Sequence, residues 1–172
     1  SPVGLSVVVP YFNPGHQLVP HLADLVRVLT ASQRRFEIVA VSDGSTDRAD
    51  EELAGWLSTQ PSGLPVVALK RPHEGKGSAL RYGLAAAQGR WRIFIDADGD
   101  IPAECLNPVL AVIDRAQTAI VVASKAHPES VIQTSFVRSI YSRGYRTLVR
   151  LLFGINVTDT QVGLKAVSYT HL

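Results

Sequence analysis

Asp96-Ala97-Asp98 carries the clearest chemical signal in the sequence. Two carboxylates one residue apart, directly after the apolar run Trp91 to Ile95, can converge on one divalent cation, and hard oxygen ligands suit Mg²⁺ or Mn²⁺. A cation held there would neutralise phosphate oxygens and act as a Lewis acid toward a departing diphosphate. Asp100 is spaced to complete its shell. The same residues would also make a plain polar turn.

Upstream, Gly75-Lys76-Gly77-Ser78-Ala79, with Arg81 and Gly83 beyond, has the make-up of an anion-binding loop that opens a helix. Glycines let the backbone approach a ligand, a helix N-terminus offers unpaired N–H groups, and Lys76 and Arg81 add positive charge. The stretch is not a Walker A loop, which needs glycine where Lys70 stands. Nor is it a G-x-G-x-x-G fingerprint, because Leu80 occupies the third glycine position. Taken alone, a Gly-Lys-Gly turn is more often structural than functional.

Two further loops carry polar groups. In Ser42-Asp43-Gly44-Ser45-Thr46-Asp47, Asp43 is placed to accept a hydrogen bond from a nucleobase imide or a ribose hydroxyl, and Ser45 or Thr46 to cap the next helix. An ordinary strand-to-helix turn, with Asp47 favouring the helix N-terminus, explains it equally well. Pro10-Tyr11-Phe12-Asn13 either walls a base-binding slot or places Phe12 in the core.

These loops punctuate an alternating pattern. Apolar runs predict strands over Leu5–Val9, Phe36–Val41, Pro65–Leu69, Trp91–Ile95 and Ala119–Ala123. Helical spacing predicts helices over His16–Thr30, from the Ser45/Thr46 cap through Leu57, over Gly77–Gln88 with Gly89 as C-terminal cap, over Leu106–Ala116, and over Ile132–Phe153. Strands and helices in alternation mean an α/β three-layer sandwich with a mostly parallel sheet and right-handed crossovers. Ligands then bind at the strands' carboxyl edge, where every motif above falls.

The bulk numbers fit one folded domain over residues 1–172, with 46% hydrophobic and 19% charged residues. A net charge of +2 argues against nucleic-acid binding by bulk electrostatics, so anion binding must be local. Cys105 stands alone, and the N-terminus carries no signal-like segment, which predicts a reducing, cytoplasmic setting. No apolar run approaches the roughly 20 residues of a membrane span.

Taken together, Val8-Val9-Pro10-Tyr11-Phe12-Asn13, Ser42-Asp43-Gly44-Ser45, Gly75-Lys76-Gly77-Ser78-Ala79 with Arg81 and Gly83, and Asp96-Ala97-Asp98 resemble, in order and spacing, the inverting family-2 glycosyltransferases of GT-A fold. Thr158-Asp159-Thr160-Gln161-Val162-Gly163-Leu164-Lys165 is similar to the Asp-Thr-Gln-x-Gly-x-Lys stretch of their polyprenyl-phosphate members, nearest the dolichyl-phosphate glucosyltransferase or mannosyltransferase type. The resemblance implies transfer of one hexose from a UDP- or GDP-sugar to a polyprenyl phosphate, with inversion and a divalent metal, at the cytoplasmic face of a membrane.

Carried onto this sequence, the resemblance assigns Asp96 and Asp98 to the metal, with Asp100, and Pro10, Tyr11, Phe12, Asn13, Asp43, Lys76, Arg81, Asp96 and Ala97 to the nucleotide sugar. Lys125, Arg138 and Gln161 fall to the acceptor phosphate, and Asp98, Arg138 and Asp159 to catalysis. The chain departs from many relatives at Pro14 and Ser42, where they carry Glu and Asp. Lys125 replaces an arginine, keeping the charge but losing the planar fork. The family pattern breaks off after Lys165, so a missing C-terminal part is expected, with Val167 to Leu172 as a junction.

The predicted helix Ile132–Phe153 gathers Phe136, Val137, Ile140, Tyr141, Leu148, Leu151 and Leu152 on one face and Arg143, Arg146 and Arg150 roughly opposite. Such a helix can lie on an anionic membrane surface or pack on the sheet with its arginines in water. Three other functions remain open. A family-2 enzyme acting on a polysaccharide or small-molecule hydroxyl would need a base, for which Asp159 is the late candidate. A sugar-phosphate nucleotidyltransferase would carry a glycine-rich loop where Tyr11-Phe12-Asn13 stands. The third is a non-catalytic nucleotide-binding module.

Overall fold

A computed structural model describes residues 3–113, 120–122 and 164–168. The chain forms two compact units, residues 1–121 with 163–172, and residues 122–162. The elements below lie in the first unit, with Val122 at its boundary. In chain order they are β1 (Leu5–Tyr11), a 3₁₀ turn (Gly15–Gln17), α1 (Leu18–Ala31), β2 (Phe36–Asp43), α2 (Ala49–Thr59), β3 (Val66–Arg71) and α3 (Lys76–Ala86). Then follow β4 (Trp91–Ile95), a second 3₁₀ turn (Ala103–Cys105), α4 (Leu106–Ile113), β5 (Ile120–Val122) and β6 (Leu164–Ser168).

The six strands form one sheet in the order β3-β2-β1-β4-β6-β5. β1, β2, β3 and β4 run parallel, whereas β6 pairs antiparallel with β4 from Trp91↔Ser168 to Ile95↔Leu164. The central strands β1 and β2 are buried almost throughout, as their unbroken apolar runs require. The edge strand β3 is largely exposed and ends in Lys70-Arg71, charges that blunt an open edge.

Side-chain alternation divides the core into two faces. Val8, Val39 and Val41 pack with Ala79 and Ala87 at α3. A Cβ on Gly83 would stand 2.5 Å from Val8 Cγ1 and 2.8 Å from Val41 Cγ2, so only glycine lets the helix come this close. Val7, Val9, Ile38 and Ala40 point the other way and are equally buried. Right-handed crossovers put α1 and α2 on that second face, and the two helices do touch each other. Leu22, Leu25 and Leu29 of α1 and Leu53 of α2 are buried with them.

Several sequence boundaries move for identifiable reasons. β1 continues through Pro10 to Tyr11 rather than stopping at Pro10. The β1–β4 ladder ends at Val8↔Phe94, so Pro10 is paired on one side only, where a missing N–H is tolerated. α1 begins at Leu18, after a 3₁₀ turn, with Pro20 in its first turn, whose N–H groups have no intrahelical partner in any case. Neither Ser45 nor Thr46 caps α2: Arg48 precedes its first residue, and Asp47 Oδ1 accepts the Ala49 N–H at 3.1 Å.

Gly89 is not the cap of α3, which ends at Ala86 with Ala87 as its C-cap. It is a point of close approach, since a Cβ there would stand 2.5 Å from the Ser6 backbone nitrogen. Its N–H donates to Ser6 Oγ at 2.7 Å, Ser6 Oγ donates to Glu37 Oε1 at 2.5 Å, and the same Glu37 oxygen accepts the Gln88 N–H at 2.6 Å. This buried cluster pins the α3–β4 connection and so aims β4. β6 has no counterpart in the sequence prediction, which treated Leu164 and Lys165 as the end of a motif and Val167 onward as a junction. The predicted helix over 132–153 lies outside the described residues.

Candidate active site at the sheet switch point

The chain leaves β1 toward β2 on one side and returns as β4 on the other. At such a reversal the loops beyond neighbouring strands diverge and leave a crevice at the carboxyl ends. A cleft of about 360 Å³ lies there. Among the sequence candidates, Pro10, Tyr11, Phe12, Asn13, Asp43, Lys76, Asp96, Ala97 and Asp98 all line it. Pro14, Gln17 and Ala79 line it too. Gln17 was missed because one polar residue in a turn before a helix gives no chemical signal.

The cleft rests on a zipped pair of loops. Asn13 adopts a left-handed backbone with φ of 48°, a conformation asparagine tolerates better than most residues. Its Oδ1 accepts N–H bonds from Thr46 at 2.7 Å and Asp47 at 3.2 Å, and its own N–H donates to Ser45 Oγ at 3.1 Å. Asp47 Oδ2 accepts the Gly15 N–H at 2.9 Å. Asn13 and Ser45 therefore hold the loops after β1 and β2 together, which is a scaffold role for both.

Asp43 also differs from its expected part. It is 2% exposed, and its carboxylate accepts the Glu74 N–H at 3.0 Å and the Gly75 N–H at 2.9 Å, with His73 Nδ1 2.8 Å from Oδ2. Burial disfavours its charge, but these two N–H bonds and the His73 ring outweigh it and hold the carboxyl below the usual range. Asp43 thus clamps the β3–α3 loop with the atoms assigned to a nucleobase or ribose. Gly44, at φ of 71°, admits the same loop, since a Cβ would stand 2.7 Å from the His73 nitrogen.

Phe12 is not core. It is 47% exposed and stacks on His73, ring centroids 4.2 Å apart and planes at 26°. His73 was invisible to the sequence reading because it sits between motifs. Tyr11 donates its hydroxyl to Asp50 Oδ1 at 2.9 Å, and Lys70 Nζ lies 2.7 Å from Asp50 Oδ2. Burial, with Asp50 reinforcing it, pushes the Tyr11 phenol far above its ordinary range, so it remains a proton donor.

Asp96 and Asp98 follow β4 directly. Asp96 Oδ1 is buried and makes no properly angled hydrogen bond; Lys76 Nζ approaches it to 2.6 Å as an ion pair. Asp98 is exposed, and its Oδ1 accepts the Asp100 N–H at 3.1 Å. Both carboxylates line the cleft, and an Asp96 oxygen that has the Lys76 ion pair but no angled hydrogen bond fits a divalent cation. No group of three or more His, Cys, Asp or Glu converges among the described residues. Phosphate and water oxygens commonly complete the shell of Mg²⁺.

Behind this turn sits His21 of α1, 7% exposed, with Nε2 lacking a partner. Burial lowers its pKa, against the opposing pull of Asp98, Asp24 and the Asp96 carbonyl. α3 opens at the cleft with Gly75 at φ of 93° and no side-chain cap. Two candidates are not brought in: Arg81 is exposed on α3 and does not line the cleft, nor does Asp100. Lys125, Arg138, Asp159 and Gln161 lie outside the described residues. Among the described residues no helix is long and apolar enough to cross a membrane.

Comparison with known proteins identifies the fold and the family. A dolichyl-phosphate beta-glucosyltransferase of Dictyostelium discoideum is 28% identical over 172 residues, covering 94% of this chain and 53% of that protein. The Saccharomyces cerevisiae protein of the same name is 31% identical over 180 residues, with the same coverage of 94% and 53%. The chain spans about half the length of the curated relatives it matches. Glucosyl-3-phosphoglycerate synthase from Mycobacterium tuberculosis, in complex with Mn²⁺, uridine diphosphate and phosphoglyceric acid, superposes with a TM-score of 0.68 at 19% identity. That match covers 96% of this chain and 56% of that one, and the shared fold is the expected GT-A fold. The pattern of glycosyl transferase family 2 matches residues 6–170, so the chain belongs to glycosyltransferase family 2.

Proposed function

We propose that this chain carries the donor site of an inverting hexosyltransferase that uses a UDP- or GDP-sugar, a polyprenyl phosphate acceptor and Mg²⁺ or Mn²⁺, at the cytoplasmic face of a membrane. One observation carries the reading: a single cleft unites Asp96 and Asp98 with Phe12 and with Lys76 at the start of α3. The dolichyl-phosphate relatives support the acceptor class. The solved neighbour holding Mn²⁺ and uridine diphosphate supports the cofactor and donor.

Asp96 and Asp98 would hold the metal, which when bound supplies Lewis-acid stabilisation to a departing nucleoside diphosphate. Phe12 offers a ring face to the base. Lys76 and the uncapped N-terminus of α3 offer positive charge to the diphosphate. A phosphate acceptor is already ionised at neutral pH, so no general base is required, and the protein's work is positioning and charge stabilisation. The displacement is in line, which inverts the anomeric centre. Arg138 and Lys125 are proposed for the acceptor phosphate, and Asp159 with Gln161 for the sugar or acceptor edge, on the resemblance alone.

Asp98→Asn tests the site. Thermal unfolding of the variant without ligand should match wild type, because Asp98 is exposed. The added stabilisation by UDP or GDP with Mn²⁺ should vanish. An unchanged metal-dependent nucleotide affinity would remove the assignment. Product analysis with polyprenyl phosphate against soluble sugars then tests the acceptor.

A further inference from the structure

We propose that Lys76 is a stand-in cation: its ammonium neutralises Asp96 while the site lacks metal, and gives up that carboxylate when a divalent cation arrives with a nucleoside diphosphate. The inference rests on the transferase reading above and adds an order of assembly to it.

The Lys76–Asp96 contact joins two unlike partners. Nζ lies 2.6 Å from Oδ1, the Lys76 side chain is 61% exposed, and that of Asp96 is 22% exposed. Oδ1 itself is buried and has no hydrogen bond of proper geometry. A carboxylate oxygen in that position needs positive charge nearby, and the ammonium supplies it as a point charge without a fixed donor direction. A divalent cation would meet the same need with twice the charge, so lysine and metal compete for one oxygen.

The stem of Lys76 makes the exchange possible. Lys76 is the first residue of α3, and its flexible four-carbon chain starts at a helix N-terminus that favours anions. Two aspartates, a divalent cation and the diphosphate of a nucleotide sugar leave the filled site about two charges negative without Lys76, and UDP or GDP, with its free terminal phosphate, leaves it about three. A lysine displaced from Asp96 therefore has a phosphate to go to. Free metal must evict the lysine and leave it unpaired, whereas metal arriving with nucleotide does not. Nucleotide should accordingly strengthen metal binding, and by reciprocity metal should strengthen nucleotide binding, with Lys76 carrying part of the coupling.

The test is Mn²⁺ titration of wild type, Lys76→Met and Lys76→Arg, read from the spin-resonance signal of free Mn²⁺, with and without UDP or GDP. A pair whose lysine is open to water is weak, so Lys76→Met should bind Mn²⁺ alone only about two- to fivefold more tightly than wild type. The strengthening of Mn²⁺ binding by nucleotide should shrink in that variant, and Lys76→Arg should stay near wild type in both. In an Asp96→Asn background the Lys76→Met change should have no effect on Mn²⁺ alone. Should Lys76→Met bind Mn²⁺ alone no better than a wild type that does take up Mn²⁺ with nucleotide, the stand-in role is wrong and the transferase reading survives. A wild type that takes up no Mn²⁺ with either nucleotide overturns both.

Discussion

Asp43 and Gly75 are joined by a hydrogen bond of 2.9 Å from the glycine N–H to Oδ2, and the same carboxylate accepts the Glu74 N–H through Oδ1 at 3.0 Å. The last residue of β2 thus fixes where α3 begins, and with it the position of Lys76. A buried acid that a nucleotide site could use directly is instead spent on shaping the loop that faces the diphosphate.

Asp43→Asn replaces one of these accepting oxygens with an amide that must face an N–H or the His73 ring. The cost should be about 1–3 kcal/mol at pH 7, measured by urea unfolding. The acid response should change as well. Because the folded pKa of Asp43 lies below its unfolded value, the stability it contributes is complete above about pH 4 and is lost as pH falls through the folded pKa. The variant should lack that component, so the two stability curves should converge in acid. Parallel curves would contradict the clamp.

Gly83→Ala sets two effects against each other. Alanine in a helix interior gains about 1 kcal/mol over glycine. Here, however, the added methyl would stand 2.5 Å from Val8 Cγ1, and forcing methylenes into a packed core costs about 1–3 kcal/mol. Overpacking should win, lowering the melting temperature and lifting α3 from β1. A more stable variant would mean the helix is not held at this distance.

The alternating pattern was legible because buried parallel strands read as apolar runs, and β4 is found over the predicted Trp91–Ile95. Motifs at strand ends then placed nine candidates on one cleft, since strand ends are where a parallel sheet gathers its loops. What sequence could not separate was contact with ligand from contact with the next loop. Asp43 and Asn13 have the residue types of binding groups, yet their atoms are taken by backbone N–H groups about 30 residues away in sequence. Arg81 does not line the cleft, and helical periodicity gives its position on α3 but not which face meets the cleft. β6 was missed because Lys165 and Ser168 leave Leu164–Ser168 without the apolar run that marks the buried parallel strands.

His21 should make stability fall with acid earlier than the carboxylates do. Burial lowers its folded pKa, so the folded state resists the proton that the unfolded chain accepts below about pH 6.5. Stability is therefore complete above that value and declines as pH drops toward the folded pKa. His21→Leu removes the group, and unfolding free energies at pH 7 and pH 5 should shift in favour of the variant at the lower pH. An identical pH slope in both proteins would show that His21 does not titrate in this window.

Phe12→Ala separates the base-binding role of the ring from its packing. At 47% exposure the ring adds little to the core, so the loss of stability should stay near the worth of its stack on His73, about 0.5–1.5 kcal/mol. Loss of a stacked aromatic contact to a nucleobase is of similar size, which corresponds to roughly three- to tenfold weaker binding of UDP or GDP by calorimetry. Affinity for Mn²⁺ alone should not change, because Phe12 offers no ligand oxygen, and Phe12→Tyr should bind nucleotide like wild type. Equal loss of Mn²⁺ and nucleotide affinity would indicate that the ring supports the loop, whereas loss confined to the nucleotide places the base against it.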